Sequence, residues 1–188
     1  MAKRRFSRRQ FLDAARAIAA REGAGQVTIE AVARAVGATK GGVLHSFPSK
    51  QALIEALIAD ICAEWERNAD ARIAELQGQP AAVLRGYLRG LLETESLEPA
   101  YREALLVAVA EAPVLLGPIR ESYARYRAAI EAEARREGRS LAETRMLWMA
   151  GEGVLLLQLI GVPLFSEAER DNLFDHLLRA AERQEAAS

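Results

Sequence analysis

The sequence predicts an all-α fold of about nine helices, with a three-helix head at residues 1–49 and a larger helical body at residues 50–188. Three observations predict it. Apolar residues recur at helical spacing, and no run alternates with the period of a strand. Ala, Leu, Glu and Arg dominate, all good helix formers. Helix signals punctuate the chain, with Ser or Thr before apolar-periodic runs and Gly or Pro after them.

The first helix spans about Ser7 to Glu22. Ser7 and Gln10 form a capping box, Phe11, Leu12, Ala15, Ile18 and Ala19 give its buried face, and Gly23 ends it. Thr28 caps a second, short helix in which Ile29, Val32, Ala33 and Val36 fall at i, i+3, i+4 and i+7. Gly37 stops that helix. Thr39 caps a third, with Val43, Leu44 and Phe47 as its apolar positions. Two short helices joined by a Gly-containing turn make a helix-turn-helix, which offers the start of its second helix to the DNA major groove.

The polar residues suit that task. Thr28 and Thr39 start the two helices. Lys40 puts a cation at the tip of the third, and Gly41 and Gly42 let another backbone come close. His45 and Ser46 can reach a base edge or a phosphate, and Lys50 suits a phosphate. Arg4, Arg5, Arg8 and Arg9 are further candidates for the DNA backbone. The charge distribution agrees. Residues 1–50 hold ten Lys/Arg against three Asp/Glu, a net of +7, whereas the rest of the chain carries −8. The overall net charge of −1 hides this split, which points to a polyanion at the basic end.

A fourth helix, capped by Ser49, runs from Lys50 to about Leu76. Its stripe is Leu53, Ile54, Leu57, Ile58, Ile61 and Trp65, and its length is about 40 Å at ~1.5 Å per residue. Gly78 and Pro80 break the chain. A fifth helix follows to about Thr94, and a sixth spans about Pro99 to Glu111. A seventh runs from Pro118 to Gly138. Ser140 with Glu143 and Ser166 with Glu169 are capping boxes for the last two, Leu141–Ile160 and Glu167–Arg183.

The segment GATKGGVLHSFPSKQALI resembles the TetR/AcrR family of transcriptional regulators. The resemblance covers about the first third of the chain. It implies a DNA-binding regulator, a repressor by preference, acting on a palindromic double-stranded operator as a homodimer and answering to a small-molecule effector not named by the sequence. It also implies a fourth helix that links effector to DNA, and dimerisation through the last two helices as a four-helix bundle. Leu44 departs from the pattern, because many members carry a phosphate-binding Tyr there. A small-molecule-binding helical protein that has lost DNA binding is therefore the alternative.

Dimer contacts are expected from Leu155, Leu156, Leu159, Leu173, Phe174 and Leu177, with Gly151 and Gly153 permitting close approach. Trp65, Tyr87, Tyr101, Tyr123, Trp148 and Glu152 are candidates to line an effector pocket. Aromatic residues at helical spacing are more often plain core. A buried Glu152 could equally meet a cation on an effector or an arginine of the chain.

Enzyme chemistry finds no constellation. His45 and His176 are the two histidines, and Asp175 beside His176 faces another way on a helix. No Cys/His spacing suits a metal, and no cofactor motif occurs. Cys62 is expected to be a small core residue in a reducing, cytoplasmic compartment. Arg135, Arg136 and Glu137 read as a solvated patch. Residues 146–165 are apolar, but Glu152 and Pro163 favour a buried helix over a membrane span.

Overall fold

The computed structural model describes residues 6–93, 116–159, 162 and 164–183. The predicted sixth helix, with Tyr101, lies outside the described residues, as does Ile160 at the predicted end of the eighth. Among the described residues there are eight α-helices and no strand. They are α1 (Arg8–Glu22), α2 (Ile29–Val36), α3 (Lys40–Ser46), α4 (Lys50–Glu75), α5 (Ala82–Glu93), α6 (Gly117–Arg136), α7 (Leu141–Leu159) and α8 (Glu167–Glu182), with a 3-10 turn at Ala24–Gln26. No described helix is long and apolar enough to cross a membrane.

The chain forms two compact units, Met1–Ala63 with Leu97–Glu121, and Glu64–Ser96 with Ser122–Ser188. In the first unit α1, α2 and α3 close on a core of Phe11, Leu12, Ile18, Val32, Val43 and Phe47. The first part of α4 completes that core with Leu53, Ile54, Leu57, Ile58 and Ile61. Cys62 is buried among them, as a core residue should be. In this unit Arg9 pairs with Asp13 at 2.8 Å and with Asp60 at 2.6 Å.

Helix starts follow the caps in the sequence. Ser7 and Gln10 complete a reciprocal box, as do Ser166 and Glu169. Ser49 Oγ accepts from Ala52 N at 3.1 Å. At α7 half the box forms, with Ser140 Oγ accepting from Glu143 N at 3.3 Å.

In the second unit α5, α7 and α8 pack with the end of α4 and most of α6 around Leu84, Tyr87, Leu88, Tyr126, Trp148 and Phe174. Two glycines let α5 lie against α4. A Cβ on Gly86 would meet the Ile73 backbone at 2.6 Å, and one on Gly90 would meet Ala69 at 2.9 Å.

The start of α5 shows why the Arg135–Glu137 patch is not simply solvated. The Glu137 carboxylate accepts from Ala81 N at 3.0 Å, and buried Glu133 accepts from Val83 N at 2.9 Å. Carboxylates from α6 thus satisfy the orphan amides of α5, where the helix dipole favours negative charge. Arg139 continues the chain of contacts, donating to Glu137 at 2.7 Å and to Arg183 O at 3.2 Å beyond the end of α8.

Two expected dimer residues turn out to be core. Phe174 is 2% exposed and Leu177 is 7% exposed, because that face of α8 packs on α5 and α7 of its own chain. Gly151 likewise faces Leu88 of the same chain.

Candidate functional site

The helix-turn-helix is built by local rules. Thr28 Oγ1 accepts from Ala31 N at 3.0 Å to start α2. Gly37 ends it in the left-handed region at φ 74°, a conformation that a side chain disfavours. Ala38 N then donates to Ala33 O at 2.8 Å. Thr39 Oγ1 accepts from Gly42 N at 3.1 Å and starts α3. Val43 and Phe47 are fully buried and clamp α3 to the rest of the head.

The opposite side of α3 faces solvent. Lys40, Gly41 and His45 are exposed, while Gly42, Ser46 and Lys50 are half-buried. Nothing of the chain lies within 4 Å of where a Gly41 side chain would begin. Thr28 is half-buried, and its hydroxyl caps α2. Lys40 Nζ pairs with Glu30 Oε1 of α2 at 2.6 Å. That hydrogen bond holds the Glu30 carboxyl below its usual range. Sequence reading missed Glu30, which sits ten positions away on another helix. The guanidinium of Arg8 lies over the Phe47 ring, 4.7 Å from its centroid. Leu44 packs partly against the head core, offering no hydroxyl.

The aromatic candidates of the second unit converge on one another. Trp65 meets Tyr87 edge-on at 5.3 Å and Tyr126 at 5.0 Å. Tyr87 meets Tyr126 at 5.0 Å and Trp148 at 5.8 Å, and Tyr123 lies tilted 6.3 Å from Trp148. Glu152 is the acid of this cluster. Tyr87 Oη donates to its Oε1, and Tyr123 Oη donates to its Oε2 at 2.5 Å. No arginine, lysine or histidine pairs with it among the described residues. The structure thus answers the question left by the sequence: its partners are phenols, not an arginine.

Burial pushes the Glu152 carboxyl up, against the pull of the tyrosine hydrogen bonds and of the Trp148 indole. Burial, and then the Glu152 charge, push the Tyr87 phenol up as well. The indole N–H groups of Trp65 and Trp148 are buried with no acceptor in hydrogen-bond geometry. Tyr126, absent from the expected pocket set, belongs to the cluster. Its spacing of three from Tyr123 could have suggested this. Its hydroxyl donates to Asp70 at 2.8 Å.

A separate cleft of about 810 Å³ opens between the end of α4, the start of α5 and α6, lined by Asp70, Gln77, Arg125 and Arg136 among others. None of the aromatic candidates lines it.

The expected dimer set is scattered. Leu156 is exposed at 55%, whereas Leu155 and Leu173 pack partly on the core, and the Leu159 side chain lies outside the description. Met146 and Met149, not anticipated, are 65% and 51% exposed. With Gly153, which has open space beside it, and Leu156, they fall at spacings of three, four and three along one side of α7. His176 is exposed on α8, its Nδ1 2.8 Å from Asn172 O. No group of metal-ligating side chains occurs among the described residues.

Comparison with known proteins follows these two regions. The sequence model of bacterial regulatory proteins, tetR family, matches residues 11–57, and that of the tetracyclin repressor-like C-terminal domain matches residues 81–182. A transcriptional regulator from Rhodococcus sp. Rha1 is similar in structure, with 21% identity, a TM-score of 0.72 and cover of 93% of this chain and 95% of that one. The fatty acid degradation regulator FadR from Bacillus halodurans shares 13% identity at a TM-score of 0.70, covering 92% and 98%. The multidrug binding protein EbrR, complexed with ethidium, shares 20% identity at 0.64, covering 90% and 96%. At such identities the likeness is one of fold. No curated protein sequence matches the chain.

Proposed function

Because this chain belongs to the TetR family of DNA-binding transcriptional regulators, we propose that it is a ligand-responsive repressor that binds a palindromic operator as a homodimer. The observation that carries the reading is the α2–turn–α3 unit. One side of α3 is locked into the head, and the other exposes Lys40, Gly41 and His45, with open space beside Gly41 and Lys40 paired to Glu30. Thr39, Gly42, Ser46 and Lys50 border that side, and Thr28 positions it. Its helix tip suits entry into the major groove, with Lys40 and Lys50 on phosphates.

The exposed stripe of Met146, Met149 and Leu156 supports a homodimer, since single-chain packing leaves it uncovered. Two α3 helices related by a twofold axis would read half-sites about 34–36 Å apart. The Glu152 cluster is the proposed seat of the effector. Helix α4 contributes to the cores of both units, so it is the proposed carrier of the signal. An effector shifts the equilibrium only if it binds the DNA-competent and released states unequally. The reading is of a regulator and not an enzyme.

Leu44 favours a second reading, a ligand-binding protein without DNA affinity. Titration of the purified protein against promoter DNA flanking its gene, at several salt concentrations, decides between them. The regulator reading expects sequence-selective binding whose log affinity falls with log salt by about 0.9 per phosphate contacted. Lys40→Ala should weaken binding about equally on all sequences. Absence of selective binding at low salt would sink the regulator reading.

A further inference from the structure

We propose that Glu152 and the rings around it form a binding site for a lipophilic organic cation. The acids of the second unit, Glu131 and Glu133 buried and Glu152 half-buried, differ in how they are satisfied. Glu131 is held by Arg127, Arg135 and Arg145. Glu133 accepts backbone amides of α5. The hydroxyls of Tyr87 and Tyr123 donate to Glu152, the Trp148 indole stands beside it, and no cation pairs with it among the described residues. A carboxylate partly withdrawn from water without a counter-charge carries a desolvation cost, and a bound cation offsets it.

The surroundings select which cation. Tyr87, Tyr123 and Trp148 stand next to the carboxylate, and Trp65 and Tyr126 back them. Aromatic faces are negative and attract cations, more so when the cation sheds little hydration. The cluster already displays this preference at its edge, where the Arg125 guanidinium lies over the Tyr126 ring, 4.4 Å from the centroid. An inorganic cation would demand several oxygen ligands. Here the rings hold a carboxylate with no basic partner among the described residues, whereas Asp70 at the cluster's edge is paired with Arg125, and this fits an alkylated or arylated ammonium or phosphonium. Entry is from the side of Tyr123, the most exposed ring at 37%. Its hydroxyl occupies Glu152 Oε2, so the incoming cation takes the place of that hydroxyl as the ring swings aside.

The role of such a cation as effector rests on the regulator reading above; the site itself does not. The test is calorimetric titration of the full chain, free of DNA, with tetraphenylphosphonium and with the neutral triphenylphosphine oxide. The expected result is saturable binding of the cation, with the neutral compound at least tenfold weaker. Glu152→Gln should lose tenfold or more toward the cation and little toward the neutral compound. Tyr123→Phe keeps the ring and frees Oε2, so it should bind the cation as tightly or more so. Equal affinity for the two compounds overturns the site and leaves the cluster as core. That comparison needs no variant, so it decides even if Glu152→Gln fails to fold. Cation binding without any operator affinity would keep the site and remove the regulator reading. Operator binding that the bound cation leaves unchanged would deny the cation its role as effector.

Discussion

At Gly41 two demands oppose each other. A glycine inside a seven-residue helix weakens it by up to ~1 kcal/mol relative to alanine. Nothing in the chain requires glycine there, since a Cβ would meet open space. On the proposed regulator reading, the glycine lets the DNA backbone come close. Gly41→Ala should therefore raise stability by about 0.5–1 kcal/mol in denaturant melts while weakening operator binding in the same preparation. A loss of both, or a gain of both, would argue against α3 as the recognition helix. A second residue-scale prediction concerns Glu131. Hydrogen bonds from Arg145, and then from Arg127 and Arg135, pull its carboxyl down from 4.5 to about 2. A depressed carboxyl stabilises the fold above its unfolded value and loses that contribution as pH falls from 4.5 toward 2. Glu131→Gln should lower the thermal midpoint at neutral pH and flatten its fall across that acid window.

Helices were readable from the chain where their causes are local. Ser7, Thr28, Thr39, Ser49 and Ser166 each accept the amide that the capping rule assigns. Faces were less readable. Nearly every side of the end of α7 is apolar, so hydrophobicity alone cannot tell the core from an interface. The signal passed over is the three-four-three spacing of Met146, Met149, Gly153 and Leu156, which matches the spacing of a coiled-coil seam. The role of Glu137 was out of reach, because its partner Ala81 is 56 positions away. So was the phenolic company of Glu152, which only the fold assembles. Packing of α5 on α4 gives a prediction at this scale. Gly86→Ala puts a methyl 2.6 Å from backbone atoms of Ile73, which cannot rotate aside. The expected cost is about 1–3 kcal/mol in chemical denaturation. Gly153→Ala, facing open space in the single chain, should leave monomer stability near neutral.

For the whole molecule, the charge split and the exposed α7 stripe argue for association of two kinds, with a polyanion and with a second copy. If the stripe is the seam, Leu156→Glu should place two like charges across it and yield monomers by analytical ultracentrifugation. Operator affinity should fall with it, since a monomer engages one half-site. A Leu156→Glu protein that remains dimeric would move the interface elsewhere.

The chain has two tryptophans, and both stand in the ring of side chains about Glu152. Their indole nitrogens are buried. Intrinsic fluorescence excited at the indole band therefore has one source in this protein, and the DNA-facing helices contribute none. Emission should begin blue-shifted and move to longer wavelength when the cluster opens to water. The molecule carries its own optical gauge, so occupancy of the cluster can be followed without a label while DNA is bound or released elsewhere on the chain.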